Sequence, residues 1–415
     1  MQEEIVIEKL VHGGQGMGSL ADGRKVFVWN AYPGERLVVR VTKKRRDYVE
    51  AVAEDIIKPS SERIKPVDEA FLSTSPWQTL SYAAENTYKQ NILEETLNRE
   101  GVVTPEADFV SPDDYLYYRN KMEYSFWADE NGLHLALFHR GTHGKRIVEG
   151  SSIARPEVDQ TANRICAILN TAGVRGSQLK TVVVRANQRQ ETVAAIFVKD
   201  QDFPEIKELA EVCKGVAVYY SNPKSPASII TKKLYVYDDI RLTDNIAGHD
   251  FLYDVNSFFQ VNVPLFEQAL MHIKQAVNGH KQIVDMYGGV GTIGVSVGAD
   301  TIVELDEHNV KMAKHNAGQS SKVVQASTEQ ALDYITEYTS VIFDPPRAGL
   351  HDKVVDRVID VLPPTVVYLS CNPATQARDI AKLLPAYQVK SVVGYNFFPR
   401  TPHIESLVIL QKSDK

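Results

Sequence analysis

Four side chains in the last third of the chain are of types that carry chemistry, and each ends or follows a short apolar run. Asp285 ends "QIVD", Glu304 ends "TIVE", Asp344 follows "VIF" and Cys371 follows "VVYLS". In open sheets of parallel strands, ligands bind outside the carboxyl ends of the strands. The sequence therefore predicts one site in which three carboxylates and a thiol share the same rim.

The residues around Asp285, Glu304 and Asp344 predict a nucleoside-containing cofactor. The glycines of "MYGGVG" follow Asp285 and would let the backbone approach a ligand closely. Glu304, about fifteen residues further on, could accept both hydroxyls of a ribose. Nicotinamide dinucleotides use a similar layout, but the glycine spacing departs from G-x-G-x-x-G. Asp344 also opens "DPPR", and both features favour S-adenosylmethionine.

Cys371 is placed where a thiolate could act as a nucleophile. It lies between an apolar run and a helical pattern that begins at Pro373, so a helix N-terminus would favour the thiolate. The alternative is a small buried hydrophobe. A thiolate beside a methyl donor suits a pyrimidine, because adding sulfur to C6 of uracil makes C5 nucleophilic. A base must then remove the C5 proton; Glu405 is the candidate, with an ordinary edge-strand carboxylate as the alternative.

Composition limits the possible classes of protein. The chain has 415 residues, 43% hydrophobic and 24% charged, which is typical of a globular protein of two or three domains. No apolar run is long enough to span a membrane, and the acidic "MQEEIVIEKL" differs from a leader sequence, so we expect a cytoplasmic protein. Three widely separated cysteines, Cys166, Cys213 and Cys371, argue against disulfides and a cysteine-based metal site.

The elements that must position these groups fall into four segments. Residues 1–60 have short strand patterns and glycine turns, which predict a small OB-like β-barrel. Residues 61–100 predict a linker and a helix, and 101–250 a central α+β domain with helices that include "FPEIKELAEVCKG". Residues 251–415 alternate apolar strands with helical patterns, which predicts a Rossmann-like α/β sheet. Two final strands predict an antiparallel hairpin at its edge.

Two segments could contact nucleic acid. The basic run at residues 43–46 could follow phosphates along the barrel, or be a solvated edge strand. "YYRNKMEYSFW" interleaves Arg119 and Lys121 with aromatic residues. That pattern is typical of a base-stacking surface, and also of an ordinary half-buried strand. The net charge of −7 argues weakly against non-specific nucleic-acid binding, but local patches decide such binding.

Together the motifs resemble the RNA 5-methyluridine methyltransferases, class I S-adenosylmethionine-dependent enzymes that act on tRNA or 23S rRNA. The barrel is similar to the TRAM domain that many members carry. The matching segments, in chain order, are "YRNK" (118–121), "FFQVN" (258–262), "DMYGGVGT" (285–292), "VELD" (303–306), "DPPRAG" (344–349), "SCNP" (370–373) and "HIE" (403–405).

The resemblance implies a role for each matching residue. Cys371 would be the nucleophile and Glu405 the proton acceptor. The barrel and the central domain would grip the RNA, and a uridine would be extruded from it. The S-adenosylmethionine site would be lined by Gln260, Tyr287, Thr292, Glu304 and Asp344. The substrate would be held by Arg119, Asn120, Lys121, Arg347 and Asn372.

The chain departs from the family pattern after the barrel. Several members hold an iron–sulfur cluster there on four cysteines, and this segment has none, so no cluster and no metal are expected. We expect 23S rRNA rather than tRNA as the substrate, with no obligatory protein partner. One alternative is a small-molecule or protein N-methyltransferase with a structural Cys371; Arg347 argues against it, because amino-group methyltransferases usually have an aromatic residue there. The other is a non-catalytic RNA-binding protein.

Overall fold

The N-terminal segment forms a closed barrel in the computed structural model, which describes residues 4–103, 107–142 and 144–413. The glycine-rich segment is the turn after the first strand, where Gly13 and Gly14 have φ of 93° and 90°. Residues 1–3 of the predicted barrel lie outside the described residues. The basic run 43–46 is exposed at the turn between the last two strands. The strands are β1 Glu4–Leu10, β2 Gly16–Ser19, β3 Lys25–Trp29, β4 Arg36–Lys44 and β5 Tyr48–Lys58.

The segment after the barrel packs onto the C-terminal domain. It contains α1 Phe71–Thr74, α2 Tyr82–Arg99 and β6 Asp108–Val110. Ser81 caps α2, since its side chain accepts a hydrogen bond from Ala84 N at 3.3 Å. Leu93 and Leu97 of α2 are fully buried in the same apolar cluster as the C-terminal strands. The predicted linker helix is therefore part of the wall of that domain.

The central domain is a seven-stranded sheet covered by one long helix. Its helix and strands are β7 Lys121–Asp129, β8 Gly132–Phe138, β9 Lys145–Ile147, α3 Pro156–Thr171, β10 Leu179–Ala186, β11 Thr192–Val198, β12 Gly215–Tyr220 and β13 Lys232–Asp238. The strand order is β13-β12-β11-β10-β7-β8-β9. A hairpin of β14 Arg241–Ile246 and β15 His249–Asp254 follows it.

The predicted helix over "FPEIKELAEVCKG" was wrong. That segment holds only a 3₁₀ turn, Lys207–Glu211. Its buried apolar side chains recur every third residue, a period that suits a 3₁₀ helix better than an α-helix. They are Phe203, Ile206, Leu209 and Val212.

The C-terminal domain is an eight-stranded sheet with helices on both faces. Its elements are α4 Val263–Val277, β16 Gln282–Asp285, α5 Thr292–Val297, β17 Thr301–Glu304, α6 Glu307–Ala317, β18 Lys322–Gln325, β19 Thr339–Phe343, α7 Asp352–Val361, β20 Thr365–Ser370, α8 Pro373–Leu383, β21 Tyr387–Tyr395 and β22 Glu405–Lys412. The strand order is β18-β17-β16-β19-β20-β22-β21-β6. β16 to β20 are parallel.

The final hairpin differs from its predicted place. β22 inserts between β20 and β21, and β6 pairs with β21 as the outer strand. The hairpin therefore does not form the edge of the sheet. Because β22 runs antiparallel to β20, the start of β22 lies beside the carboxyl end of β20, which brings the chain's last motif to the rim. In the portion described, no helix is long and apolar enough to cross a membrane.

Candidate active site

The carboxyl ends of the parallel strands open into a cavity of ≈ 1350 Å³ that the central domain closes from the other side. Most of the residues singled out in the sequence meet there, although they come from both domains. Asn120 and Asn372 do not line it. The predicted residues that do are Arg119, Lys121, Gln260, Tyr287, Thr292, Glu304, Asp344, Arg347, Cys371 and Glu405.

The glycine loop holds Glu304 by its backbone. Glu304 Oε2 accepts a hydrogen bond from Gly289 N at 2.8 Å, and Oε1 accepts one from Asp306 N at 2.7 Å. Burial raises the pKa of Glu304, and these hydrogen bonds oppose the rise. Gly288 has no room for a side chain, because a Cβ there would lie 2.2 Å from Ile302 Cγ2. The loop is thus pressed against β17, with a fixed carboxylate facing the cavity.

Asp285 has a different position from the one predicted. It is completely buried and does not line the cavity. Its Oδ2 accepts a hydrogen bond from Gly294 N at 2.9 Å, so it ties β16 to the start of α5 beneath the glycine loop. Burial raises the pKa of Asp285 to about 7. Asp285 therefore supports the loop from below.

Cys371, Glu405 and Asp344 lie close together in the cavity. Ser370 pairs with Ser406 in the antiparallel ladder of β20 and β22. Cys371 follows Ser370 and Glu405 precedes Ser406, so these two residues are neighbours across the two strands. Burial raises the pKa of Glu405 well above its ordinary value, and the negative charge of Asp344 adds to the rise. Burial also raises the pKa of Asp344, to about 7.

The electrostatic environment of Cys371 is the opposite of the one expected. Burial raises the pKa of its thiol to about 11, and the charges of Glu405 and Asp344 add to the rise. At the N-terminus of α8, Pro373 has no N–H to donate to the sulfur, and Ala374 N donates instead to Asn372 Oδ1 at 3.3 Å. Arg347 is the nearby cation that lowers the pKa of the thiol.

The loop that carries Arg347 is fixed from the side of α8. Asn372 Nδ2 donates a hydrogen bond to the Arg347 carbonyl oxygen at 2.8 Å. Asp379 Oδ2, in a fully buried side chain, accepts from Leu350 N at 2.8 Å and from the Tyr368 hydroxyl at 2.9 Å. Asn372 therefore shapes the site through the "DPPRAG" backbone.

The central domain contributes a cationic wall. Arg119 and Lys121 line the cavity, as does Arg185 on the neighbouring strand. Asn120 points elsewhere: its Nδ2 donates to the Gln260 carbonyl oxygen at 3.0 Å, which fixes the backbone of that segment. Burial lowers the pKa of Lys121 to about 8, and the charge of Arg185 adds to the fall.

Arg185 and His403 are among the lining residues that were missed in the sequence. Arg185 interrupts the apolar run "TVVVRA", and a charge inside a buried strand was the available signal. His403 stands two residues before Glu405; burial and the nearby Arg347 lower the pKa of its imidazole to about 4. His403 is therefore neutral near pH 7. Within the ranges described, no group of three or more His, Cys, Asp or Glu residues could hold a metal ion.

Comparisons with known proteins agree with this architecture. A family model described as tRNA (uracil-5-)-methyltransferase matches residues 81–326 and 309–413, and a TRAM domain model matches residues 2–53. Similar proteins include an uncharacterized RNA methyltransferase of Enterococcus faecalis, 29% identical over 444 residues that cover 99% of this chain and 97% of that protein. Another, from Thermotoga maritima, is 28% identical over 449 residues that cover 100% of both.

A solved structure matches the whole chain. It is the crystal structure of Pyrococcus abyssi tRNA (uracil-54, C5)-methyltransferase in complex with S-adenosyl-L-homocysteine. The TM-score is 0.80 at 23% sequence identity, and the match covers 99% of this chain and 100% of that one. It confirms the predicted fold class, a Rossmann-like methyltransferase domain preceded by a small barrel and an α+β domain.

Proposed function

The chain belongs to the tRNA (uracil-5-)-methyltransferase family, and we propose that it methylates C5 of a uridine in structured RNA through a covalent bond between Cys371 Sγ and C6 of the uracil. S-adenosylmethionine is the methyl donor and supplies an electrophilic methyl group when it is bound. The adjacency of Cys371 and Glu405 across β20 and β22 is the observation that supports the adduct most directly.

The cavity suits this donor. Glu304 presents a carboxylate at the tip of β17, held by the glycine-loop backbone, where two ribose hydroxyls could donate to it. Asp344 adds a second carboxylate to the same cavity. The donor carries a sulfonium, an ammonium and a carboxylate, so its net charge is positive, which complements these acids. We propose that Gln260, Tyr287 and Thr292 complete its binding site.

The reaction needs one nucleophile and one base on the same side of the pyrimidine. The thiolate of Cys371 adds to C6, and the electron pair of the C5–C6 double bond moves toward O4 to give an enolate. C5 then takes the methyl group, whose bond to the donor's sulfur breaks with the electron pair staying on that sulfur. Glu405 then accepts the C5 proton; as the double bond re-forms, the C6–S bond breaks and the thiolate leaves. Arg347 lowers the pKa of both groups, so it favours the ionised forms that these steps require.

The substrate is an RNA that both other domains can contact. Arg119 and Lys121 line the cavity from the central domain, and the barrel presents its basic run 43–46 on an exposed turn. We propose a uridine of 23S rRNA as the target, with a tRNA uridine as the alternative that the family's name favours. Mapping 5-methyluridine in both RNAs, with and without the protein, distinguishes the two.

The adduct is tested with RNA that carries 5-fluorouridine at the target position. Fluorine cannot leave as a cation, so elimination stalls and a complex that survives denaturing gel electrophoresis accumulates in the presence of the donor. The wild-type protein should form it, and Glu405→Gln with ordinary RNA should also accumulate an adduct. Cys371→Ala should form none.

Cys213→Ala is the matched control, because it removes a thiol that does not line the cavity. It should form the adduct at the wild-type rate. A covalent complex that persists in Cys371→Ala would show that the nucleophile is another residue. Full methyl transfer by Cys371→Ala would favour the N-methyltransferase alternative.

A further inference from the structure

Arg185 is the most completely buried cation on the cavity wall. It lies in β10, is 1% exposed and lines the cavity. Its Nη2 donates to the Ser257 carbonyl oxygen at 2.9 Å, and its guanidinium lies 5.3 Å from the centre of the Tyr253 ring. Nε and Nη1 have no hydrogen-bond partner in the parts of the chain that are described. Two nitrogens of a buried guanidinium are thus left for a ligand.

The acids near Arg185 are engaged elsewhere. Asp244 accepts from the Tyr253 hydroxyl at 2.6 Å and from Gln188 N at 2.6 Å. Asp254 lies 2.7 Å from His308 and accepts from Asn256 N at 2.7 Å. Among residues 4–103, 107–142 and 144–413, Arg185 forms no ion pair. A buried charge without a partner is costly. A bound anion would relieve this cost, so the unpaired guanidinium favours anion binding.

A second cation stands directly opposite. Arg185 pairs with Lys121 in the antiparallel ladder of β10 and β7, and like charges in facing positions repel. Arg119 lines the same wall, and its Nε donates to the Lys121 carbonyl oxygen at 3.0 Å. Glu123 is the carboxylate on this wall, and its Oε1 accepts from Ser228 Oγ at 2.6 Å. Three cations against one acid give the wall a net positive charge.

We propose that Arg185 and Lys121 bind an oxyanion, and that this anion is a phosphodiester next to the reacting uridine. The inference rests on the proposed function and adds to it a positioning site for the substrate backbone. The carboxylate of the methyl donor is the other anion that could bind to these two side chains. The charges favour the phosphodiester, because the donor is a net cation that three positive side chains repel, whereas RNA is a polyanion. A planar guanidinium also binds phosphate in bidentate fashion.

The test compares Arg185→Met, Arg185→Lys and the control Arg175→Met. Arg175 is an exposed cation that precedes the opposite end of β10. Full-length proteins are titrated with target RNA over a range of salt concentrations, and separately with the donor by calorimetry without RNA. We expect Arg185→Met to bind RNA roughly tenfold more weakly, with a salt slope that is smaller by about one. Arg185→Lys should keep the wild-type salt slope, and donor affinity should be unchanged in all three variants.

Thermal unfolding separates ligand binding from a structural role. Removing a buried charge that has no ion-pair partner relieves its desolvation cost, which offsets the loss of the hydrogen bond to the Ser257 carbonyl oxygen, so the free Arg185→Met protein should unfold no earlier than wild type. Weaker donor binding with an unchanged RNA salt slope would assign the site to the carboxylate and overturn the proposal. A large fall in the unfolding temperature would also overturn it, because Arg185 would then be structural. Failure of the proposed function would instead appear as a wild-type protein that forms no adduct.

Discussion

Asp344→Asn should make the ligand-free enzyme more stable while it weakens binding of the methyl donor. Asp344 lines the cavity, and burial raises the pKa of its carboxyl from an ordinary 3.8 to about 7, with the charge of Asp285 as the second cause. The folded protein therefore holds this proton more tightly than the unfolded chain does. The stability that this provides is fully present below pH 3.8 and is lost as the pH rises to about 7.

The size of the expected change in the free energy of unfolding follows from the pH interval over which Asp344 is protonated only in the folded protein. At 1.36 kcal/mol per pKa unit, the interval from pH 5 to the folded pKa of about 7 corresponds to about 3 kcal/mol. Water in the cavity screens part of this charge, so we expect about 1–3 kcal/mol. Asparagine does not titrate, and the advantage of Asp344→Asn over wild type should therefore increase by this amount between pH 5 and pH 8.

The assay is unfolding of the ligand-free proteins at pH 5, 6.5 and 8, with donor binding measured on the same samples. Asp356→Asn, an exposed change on α7, is the control and should leave the pH dependence as in wild type. Donor affinity should fall in Asp344→Asn, because the cationic ligand loses a carboxylate. A stability difference that is constant across pH would refute the reasoning, as would a wild type that is the more stable protein at pH 8.

Three further changes test other parts of the site. Gly288→Ala should destabilise the protein by about 1–3 kcal/mol, because the added Cβ lies 2.2 Å from Ile302 Cγ2. Ile302 is fully buried, so Ile302→Ala alone should cost about 2–5 kcal/mol, but in that background Gly288→Ala should cost less than it does in wild type; an equal cost in both backgrounds would mean that the clash is not the cause. The rate of adduct formation on 5-fluorouridine RNA should rise with pH through neutrality, because the pKa of Cys371 is about 11; a plateau below pH 8 would contradict this. Asp379→Asn should lower kcat more than donor affinity, since its carboxylate fixes Leu350 N at 2.8 Å in the "DPPRAG" loop; equal losses would point to general unfolding.

The sequence predicted the meeting of distant residues because one rule of parallel sheets covers them. Apolar runs that end in Glu304, Asp344 and Cys371 mark carboxyl ends of strands. These ends lie at one rim of a parallel sheet regardless of the conformation of the loops. The rule fails for Asp285, whose side chain turns under the glycine loop toward Gly294 N. A strand's end can be read from the sequence, but the side of the loop on which the last side chain lies depends on packing.

The charge state of the thiol was not predictable in the same way. A helix start after Cys371 was visible in the sequence, and its dipole alone would favour the thiolate. In the fold, burial and the acids Glu405 and Asp344 raise the pKa of the thiol, and Glu405 is 34 residues further along the chain. The pKa of the thiol depends on its distances to these groups, and those distances are known only from the folded structure.

The two domains divide the charge of the cavity between them, which links the cofactor's chemistry to the substrate's. On the C-terminal domain the lining acids outnumber the lining cations, whereas on the central domain the cations outnumber the acid. The C-terminal residues are Glu304, Glu329, Asp344, Asp352 and Glu405 against Arg347, Arg378 and Lys382, and the central ones are Arg119, Lys121 and Arg185 against Glu123. On the proposed function, a net-cationic methyl donor would be attracted to the first wall and a polyanionic RNA to the second. Each ligand would then lower the cost of the charges that face it, so binding of both should stabilise the protein more than either does alone. Unfolding temperatures that rise no further with both ligands than with one would contradict this division.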